Sequence, residues 1–389
     1  MVQQIAHETQ FCQRQRSIVA TDLLDTLLEV LTCHQKVGIA ELHRHYVAKR
    51  GYISYSAFYE QLNKKTFVEW LRLLLVKAVT LLKSHYWAHL SQLWRYFDDV
   101  RLHDGTSWRI HDKLKDKLPG RFSHTAPAAL EMHTTFSLLS GQIYQVQLAP
   151  DTESEHHFFP IPESGALYIF DAGYVNQPEL LKFNQAGAFY LTRGKSNLNP
   201  HVIYDHKREK AIGKPLKELK FKPGQNYDFQ VQHKVSNYRL LLLWNPQTHS
   251  HVRLLTNIPL EYLSANALGK VYRLRWQVEL YFKELKSFSG LERLLTGNAT
   301  IVEGLVWASL LVCTLRRFLV LSAQLGERLS THKAARSSAS FFPDFLRQWR
   351  HIGEKAFAPL FDYLRRTMTL SNPQKHDAFT PFGEGKYLL

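Results

Sequence analysis

The sequence predicts an α/β domain that is preceded and followed by helices. Residues 1–95 carry apolar side chains three to four positions apart, which is typical of amphipathic helices. Residues 96–325 contain short apolar runs with strand-like alternation, separated by glycine turns and by a few helical segments. Residues 326–389 favour helices again. These three segments are the predicted domains.

The N-terminal segment contains a candidate DNA-reading motif. Two short helices are predicted within residues 38–65, where Gly51 ends the first and Ser54 is placed to cap the second. A helix–turn–helix that ends in two lysines is compatible with DNA binding, and helical bundles give similar patterns. The next helix, at about residues 66–86, is amphipathic and is predicted to pack against the rest of the protein.

Strands are predicted around two aspartates. One apolar run stops at Asp104 before a glycine turn, and another ends at Asp171 with a glycine two residues later. A buried strand that ends in Asp delivers its carboxylate to the edge of a sheet, where open α/β folds collect ligands. Alternating apolar residues at 130–138, a turn at 140–141 and a run at 143–148 predict a half-buried hairpin between them.

Four polar residues share one face of a predicted helix, with the spacing Y-x2-R-x3-E-x6-K. They are Tyr272, Arg275, Glu279 and Lys286. At about 100° per residue, the last three lie roughly 60°, 20° and 40° from the first around the helix axis. A carboxylate can bind a divalent cation, and Arg and Lys beside it can hold phosphate oxygens, which suits work on a phosphodiester. Ordinary charge pairs on a solvated helix are the alternative.

The helical glutamate and the two strand aspartates together predict a metal site. Asp104, Asp171 and Glu279 offer three carboxylates, and oxygen ligands of this kind select hard cations such as Mg²⁺ or Mn²⁺. The three positions are far apart in sequence, so the fold has to bring them together.

The composition favours a polyanionic partner. The formal net charge is +15 and the pI is about 9.6, which indicates attraction to nucleic acid without distinguishing an enzyme from a binding protein. Three unevenly spaced cysteines do not form a disulfide framework, and the N-terminus lacks a signal pattern, so a cytoplasmic location is expected. The apolar stretch at 301–325 contains three charged residues and predicts a core helix rather than a membrane span.

Three motifs in this order resemble those of the DDE transposases of bacterial insertion sequence family four. They are Asp-Gly-Thr at Asp104, Asp-x-Gly-Tyr at Asp171 and the Y-R-E-K helix, and the resemblance covers about residues 95–325. That family includes the cut-and-paste enzymes of kanamycin- and tetracycline-resistance composite transposons. The resemblance implies an RNase H-like catalytic domain with a β-rich insertion, and the order of the predicted strands is consistent with it.

The resemblance also implies a mechanism. Asp104, Asp171 and Glu279 would hold two Mg²⁺ ions, which Mn²⁺ could replace, and would cut DNA at the transposon ends. The freed 3′-hydroxyl would then attack the opposite strand to form a hairpin, and finally the target DNA. The other three residues of the Y-R-E-K motif, Tyr272, Arg275 and Lys286, would bind the phosphates beside the cut. The implied partners are DNA with terminal inverted repeats, target DNA and a second protomer in the DNA complex.

The spacing between the acidic residues predicts where the insertion lies. Asp171 and Glu279 are 108 positions apart, against 67 between Asp104 and Asp171, which is more than a compact domain needs. A helix at 178–184 and a strand at 188–192 are predicted before the insertion, which spans about residues 194–262. Its predicted strands are residues 229–231, 238–244 and 252–255.

The insertion supplies further candidate DNA contacts. Nine Lys or Arg residues fall between positions 193 and 222, beginning with Arg193 and Lys195, and such a strip could hold a phosphate backbone or simply form a solvated loop. Relatives place a Trp about twenty residues before the signature Tyr to capture a flipped base. Here that stretch has none, and Trp244 on the facing strand is the candidate substitute or an ordinary buried Trp.

The C-terminal segment carries no motif that assigns it a role. A Ser- and Ala-rich loop is predicted at 334–340, with helices at 342–350 and 356–367.

Two other functions compete with a transposase. One is a domesticated DNA-binding protein that keeps the fold without cutting, which loss of an acidic ligand would mark; all three acids are present. The other is an RNase H-like structure-specific nuclease, which needs neither the insertion nor the Y-R-E-K helix.

Overall fold

A computed structural model of the 389-residue chain describes residues 1–14, 18–33, 37–81, 93, 95–205, 209–234, 236–324 and 329–369. Within these ranges a large mixed sheet carries helices from both ends of the chain.

The described part of the N-terminal segment forms five helices. They are α1 (Val2–Glu8), α2 (Ala20–Thr32), α3 (Ile39–Arg50), α4 (Tyr55–Leu62) and α5 (Lys65–Leu81). The turn between α3 and α4 is as predicted: Gly51 ends α3 with a φ of 102°, and the Ser54 hydroxyl accepts a hydrogen bond from Ala57 N. The predicted end of the next helix, residues 82–86, lies outside the described residues.

Five strands form the RNase H-like sheet that the sequence predicts, and one helix connects the last two of them. They are β1 (Asp99–Arg109), β3 (Ala126–Ser137), β4 (Gln142–Pro150), β5 (Ala166–Phe170), α6 (Gln177–Gln185) and β6 (Phe189–Arg193), with the short β2 (Pro119–Phe122) beside β3. The order β4-β3-β1-β5-β6 has an antiparallel β4-β3-β1 group, and β1, β5 and β6 run parallel. The predicted hairpin, helix and strand are therefore confirmed.

The sheet is covered on both faces. In β5, Leu167 and Ile169 join the core that faces the N-terminal helices, while Tyr168 and Phe170 join a second core on the opposite face. Strand β3 is likewise buried from Ala128 to its end, so the expectation of a half-buried hairpin strand is wrong. A strand between two packed layers has side chains buried on both faces, so burial along it is nearly continuous and does not alternate.

Strand β1 does not stop at Asp104, as the sequence predicted, but continues for five more residues to Arg109. Gly105 is paired with His133 of β3 and does not form a turn. A larger residue would not fit at Gly105, because Tyr174 Oη lies 2.8 Å from the position that its Cβ would occupy. The glycine therefore reflects close packing inside a strand, which the sequence pattern does not distinguish from a turn.

The β-rich insertion extends the same sheet. It adds β7 (His201–Asp205), β8 (Tyr227–His233), β9 (Ser236–Asn245) and β10 (Ser250–Thr256). Strand β10 pairs antiparallel with β6, and β9, β8 and β7 follow outward. Three of these strands were predicted, whereas β7 was not.

The signature residues are not on one uninterrupted α-helix. Helix α7 (Ala265–Tyr272) leads into a 3-10 turn at Arg273–Arg275, after which α8 (Trp276–Phe288) begins. Backbone angles stay right-handed helical throughout, so the axis continues and only the hydrogen bonding tightens. The shared face that the spacing predicts is kept across the turn.

Helix α9 (Ala299–Ser322) is the long core helix that the sequence predicts. It is long and apolar enough to cross a membrane, but 89% of its most apolar window is buried inside the protein. Helix α5 packs on it, and Gly304 of α9 lies against the ring of Phe67, which leaves no room for a Cβ. Buried packing explains its apolar character.

Three helices follow α9 in the described part of the C-terminus: α10 (Thr331–Arg336), α11 (Ser338–Ile352) and α12 (Phe357–Thr367). The loop predicted at 334–340 is wrong, because these residues form the end of α10 and the start of α11. Ser330 caps α10, and the small buried side chains of Ala334 and Ala335 let the helix pack closely on α9. Residues 370–389 lie outside the described residues.

Candidate active site

One cleft of about 540 Å³ opens between β1, the end of β5 and α8. Acidic and basic side chains alternate around it. Its lining residues are Asp104, Gly105, Thr106, Asp171, Arg275, Glu279, Phe282, Lys283, Lys286, Ser287 and Glu292. The fold thus brings the three predicted acidic residues to one cleft together with two of the predicted phosphate-binding residues.

Asp104 lies on the face of β1 that is turned toward α8. Its Oδ1 accepts a hydrogen bond from Gly105 N at 2.9 Å, and its Oδ2 accepts one from Arg275 Nη1 at 2.8 Å. Burial raises the pKa of the Asp104 carboxyl to about 6, against the opposing effect of Arg275, and the charges of Glu279 and Asp171 raise it further. Any additional positive charge in the cleft would therefore stabilise the charged form of this carboxylate.

Arg275 links two of the acidic residues. While Nη1 bonds Asp104, Nη2 donates to Glu279 Oε1 at 2.6 Å, across one turn of helix. Burial alone would lower the pKa of the guanidinium, but Asp104 and the other acids around it raise it above its ordinary value. Arg275 is thus a fixed charge between the two carboxylates.

Asp171 directly follows β5, as predicted, and is held by Tyr272. The Tyr272 hydroxyl donates to Asp171 Oδ1 at 3.3 Å, and Thr192 Oγ1 donates to the Asp171 carbonyl at 3.3 Å. Burial and the nearby Asp171 charge raise the pKa of Tyr272, so its hydroxyl stays protonated and able to donate.

Two lysines of α8 face the cleft. Lys286 Nζ donates to the Ser107 carbonyl of β1 at 2.5 Å, and burial lowers its pKa. Lys283 also lines the cleft and is exposed, and the sequence analysis did not single it out. Lys283 could have been predicted from the sequence, because it lies four residues after Glu279 and therefore on the same helix face.

The carboxylates do not form the ligand cage that the sequence predicts. Among the residues that the structure describes, no group of three or more Asp, Glu, His or Cys is arranged to hold a metal ion. Arg275 pairs with two of these carboxylates, through oxygens of Asp104 and Glu279. The donors nevertheless fit a hard cation, since they are oxygens only and the most buried of them carries an unfavourable charge.

The remaining predicted DNA contacts are not among the residues that line the cleft. Arg193 ends β6 and Lys195 follows it, both exposed. Arg253 donates to the carbonyls of Ser196 and Leu198 and so holds the loop that carries Lys195. Of the basic strip, residues 207 and 208 lie outside the described part of the chain.

Trp244 is half-buried on β9 rather than exposed to the cleft. Its ring contacts His251 on β10 at 5.1 Å between centroids, and its backbone N donates to Asn226 Oδ1. The facing-strand position that the sequence predicts is confirmed. Its role with a flipped base stays a prediction.

An RNase H-like sheet with acidic residues on β1, after β5 and on a following helix defines the class of DDE nucleic-acid-processing proteins. Comparison with known families agrees. The family model described as "Transposase DDE domain" matches residues 95–314, more than half of the chain, and the protein belongs to this family.

Individual relatives are transposases of insertion sequences. The chain is 23% identical over 353 residues to the transposase of IS231F from Bacillus thuringiensis subsp. israelensis, covering 78% of this chain and 73% of that one. It is 20% identical over 335 residues to the transposase of IS1151 from Clostridium perfringens, covering 74% and 70%. With the IS231C transposase the match spans only 50% of the relative's length.

A solved structure is similar over most of the chain at low identity. It is a piggyBac transposase synaptic complex with hairpin DNA, with a TM-score of 0.46, 11% identity, and coverage of 96% of this chain and 83% of that one.

Proposed function

We propose that this protein cuts DNA at the ends of an insertion sequence and joins those ends to a target, using divalent cations bound by Asp104, Asp171 and Glu279. The observation that carries the proposal is the cleft itself: the three predicted carboxylates, a fourth from Glu292 and three cationic side chains line one cleft of a DDE-family domain. Mg²⁺ is the expected cation and Mn²⁺ its expected substitute, because both prefer carboxylate oxygens.

The protein residues divide into two groups by what they do. When bound, the cations neutralise charge on the phosphoryl and departing oxygens and activate water. Tyr272 orients Asp171 through its hydroxyl, whereas Arg275 bonds Asp104 and Glu279 through oxygens that a cation would also need. Lys283 and Lys286 offer ammonium groups to the phosphates on either side of the cut, since both line the cleft.

The DNA partners follow from the same proposal. Double-stranded DNA with terminal inverted repeats would occupy the cleft, and Arg193 and Lys195 would contact its backbone beyond the cut. A second protomer would hold the other end, and the reaction would take place at the nucleoid in the cytoplasm. A hairpin intermediate is part of the proposal, with Trp244 as the candidate for holding a displaced base.

The test is incubation of the purified protein with linear DNA that carries the element ends, with Mg²⁺ present or omitted, on denaturing gels. We expect cation-dependent cleavage by the wild type, and loss of cleavage with retained end binding in Asp104→Ala, Asp171→Ala and Glu279→Ala. Asp112→Ala is the matched control, because Asp112 is an exposed acid near the end of β1 and outside the cleft. Full cleavage by any of the three cleft variants would contradict the assignment.

A further inference from the structure

A tight turn follows Asp171, in addition to the contacts that Tyr272 and Thr192 make with it. After β5 ends, residues Ala172–Tyr174 form a 3-10 turn in which Tyr174 N donates to the Asp171 carbonyl at 3.2 Å. This hydrogen bond connects the backbone of Tyr174 to that of Asp171. Contacts that hold the Tyr174 side chain therefore also help to position the Cα of Asp171.

Tyr174 reaches from this turn to the residue that follows Asp104. Its hydroxyl oxygen lies 2.8 Å from the position that a Cβ on Gly105 would occupy, and only a glycine leaves space for it. Gly105 and Asp104 are neighbours in the same strand, and their side-chain positions point to opposite faces. The contact thus connects the two aspartate motifs behind the cleft, on the face opposite Asp104.

Two buried histidines hold Tyr174 in that position. His133 Nδ1 and Tyr174 Oη are hydrogen-bonded at 2.9 Å, and the His133 ring is stacked on Phe158 with centroids 4.0 Å apart. His103 packs edge-on against Tyr174 at 4.6 Å and is itself hydrogen-bonded to Thr135 Oγ1. Burial lowers the pKa of His133 to about 4 and that of His103 to about 3, so both rings are neutral at physiological pH.

We propose that Tyr174 is a positioning residue, whose hydroxyl, seated on Gly105, sets the separation of Asp171 from Asp104. The inference rests on the proposed function, because it treats both carboxylates as ligands of the same cation site. Tyr174 itself touches no reacting atom: it is 1% exposed and lies on the far face of β1. Its effect on metal binding therefore passes through the turn and the strand.

The test combines two substitutions that offset each other. Gly105→Ala introduces a Cβ that the Tyr174 hydroxyl excludes, whereas Tyr174→Phe removes that hydroxyl and leaves the nearest atoms, on Glu131 and His133, at 3.1 Å. Mn²⁺ binding to the DNA-free protein is measured by electron paramagnetic resonance, beside cleavage of element-end DNA and the midpoint of urea unfolding. Tyr174→Phe keeps the ring and adds no atom, so it tests the contact even where Gly105→Ala does not fold.

We expect Gly105→Ala to weaken Mn²⁺ binding about tenfold or more, as for other residues that orient metal ligands. The double variant Gly105→Ala/Tyr174→Phe should bind Mn²⁺ more tightly than Gly105→Ala alone, and Tyr174→Phe alone more weakly than wild type. Tyr238→Phe is the control, because it removes another buried hydroxyl from the same core, and this hydroxyl has no hydrogen-bond partner among the residues that the structure describes. Its Mn²⁺ affinity should match that of wild type.

The outcomes separate this inference from the proposed function. If the wild type binds Mn²⁺ and cuts DNA, but Tyr174→Phe binds Mn²⁺ as tightly as the wild type, the positioning role is wrong and the function stands. A double variant that binds no better than a folded Gly105→Ala variant would also overturn the positioning role. If the wild type neither binds Mn²⁺ nor cuts, the proposed function fails, and the inference fails with it.

Discussion

Arg275 and a divalent cation should compete for the same carboxylate oxygens. Its guanidinium bonds Asp104 at 2.8 Å and Glu279 at 2.6 Å, which are oxygens that a cation would also need. We therefore expect Arg275→Ala to destabilise the cation-free protein and to increase the stabilisation that Mg²⁺ provides. The second effect is the distinctive one, because loss of an ordinary ion pair would not produce it.

The magnitude follows from burial. Removing one partner of a buried ion pair costs about 3–5 kcal/mol. The side chains of Arg275 and Asp104 are 13% and 18% exposed. The side chain of Glu279 is 35% exposed, so its ion pair with Arg275 contributes less to stability. We expect a loss of about 3 kcal/mol in the free energy of unfolding without Mg²⁺. A cation that binds only the native state returns about 2.7 kcal/mol at a hundredfold excess over its Kd.

The assay is urea unfolding followed by tryptophan fluorescence, with Mg²⁺ added or chelated. Arg109→Ala is the control, because Arg109 forms an exposed pair with Asp112 in which the side chains are 57% and 51% exposed. This variant should stay within about 1 kcal/mol of wild type in both conditions. An Arg275→Ala protein as stable as wild type, or one that Mg²⁺ stabilises no more than wild type, would refute the competition.

Three further predictions concern DNA binding, pH and packing. Lys286→Ala should weaken binding of end DNA and reduce the slope of log affinity against log salt by about 1, and an unchanged slope would exclude a phosphate contact. Burial and the Asp151 charge raise the pKa of Glu131 to about 7, so wild type should lose stability as pH rises from about 4.5 through 7. Glu131→Gln should remove that loss, about 3 kcal/mol by pH 8, and a constant difference between the two proteins from pH 5 to 8 would contradict it. Gly304→Ala should destabilise by about 1–3 kcal/mol, measured as a lower Tm, because its Cβ overlaps Phe67. Gly38→Ala should cost less, because no described atom lies within 4 Å of its added Cβ.

Much of the fold was predictable because its elements are local patterns. The predicted strands of the insertion alternate or run apolar over three or more residues, and turn residues such as Asn245 and Pro246 bound them. Strand β7 was missed because its five residues, His201–Asp205, contain only three non-polar or aromatic side chains and lie within a basic strip. Residues 334–340 resemble a loop in composition, yet they span the end of α10 and the start of α11, where Ala334, Ala335 and Ser338 are buried.

The candidate site was predictable in its membership but not in its arrangement. The positions of Asp171 and Glu279 at one cleft follow from a strand end and from helix spacing, whereas Asp104 lies within β1, which continues to Arg109. The bond from Arg275 to Asp104 joins residues 171 positions apart, and no sequence period encodes such a contact. The same holds for Tyr174 on Gly105, where a glycine that reads as a turn is required by a side chain from another motif.

The most direct test replaces a carboxylate with a thiolate in the cleft. In Asp104→Cys the proposed ligand becomes sulfur, which Mn²⁺ accepts more readily than the harder Mg²⁺ does. Cleavage of element-end DNA by this variant should be lost in Mg²⁺ and recovered in Mn²⁺, while Asp104→Ala should stay inactive in both. Cleavage by Asp104→Cys at the wild-type rate in Mg²⁺, or recovery of Asp104→Ala in Mn²⁺, would show that Asp104 does not hold the cation.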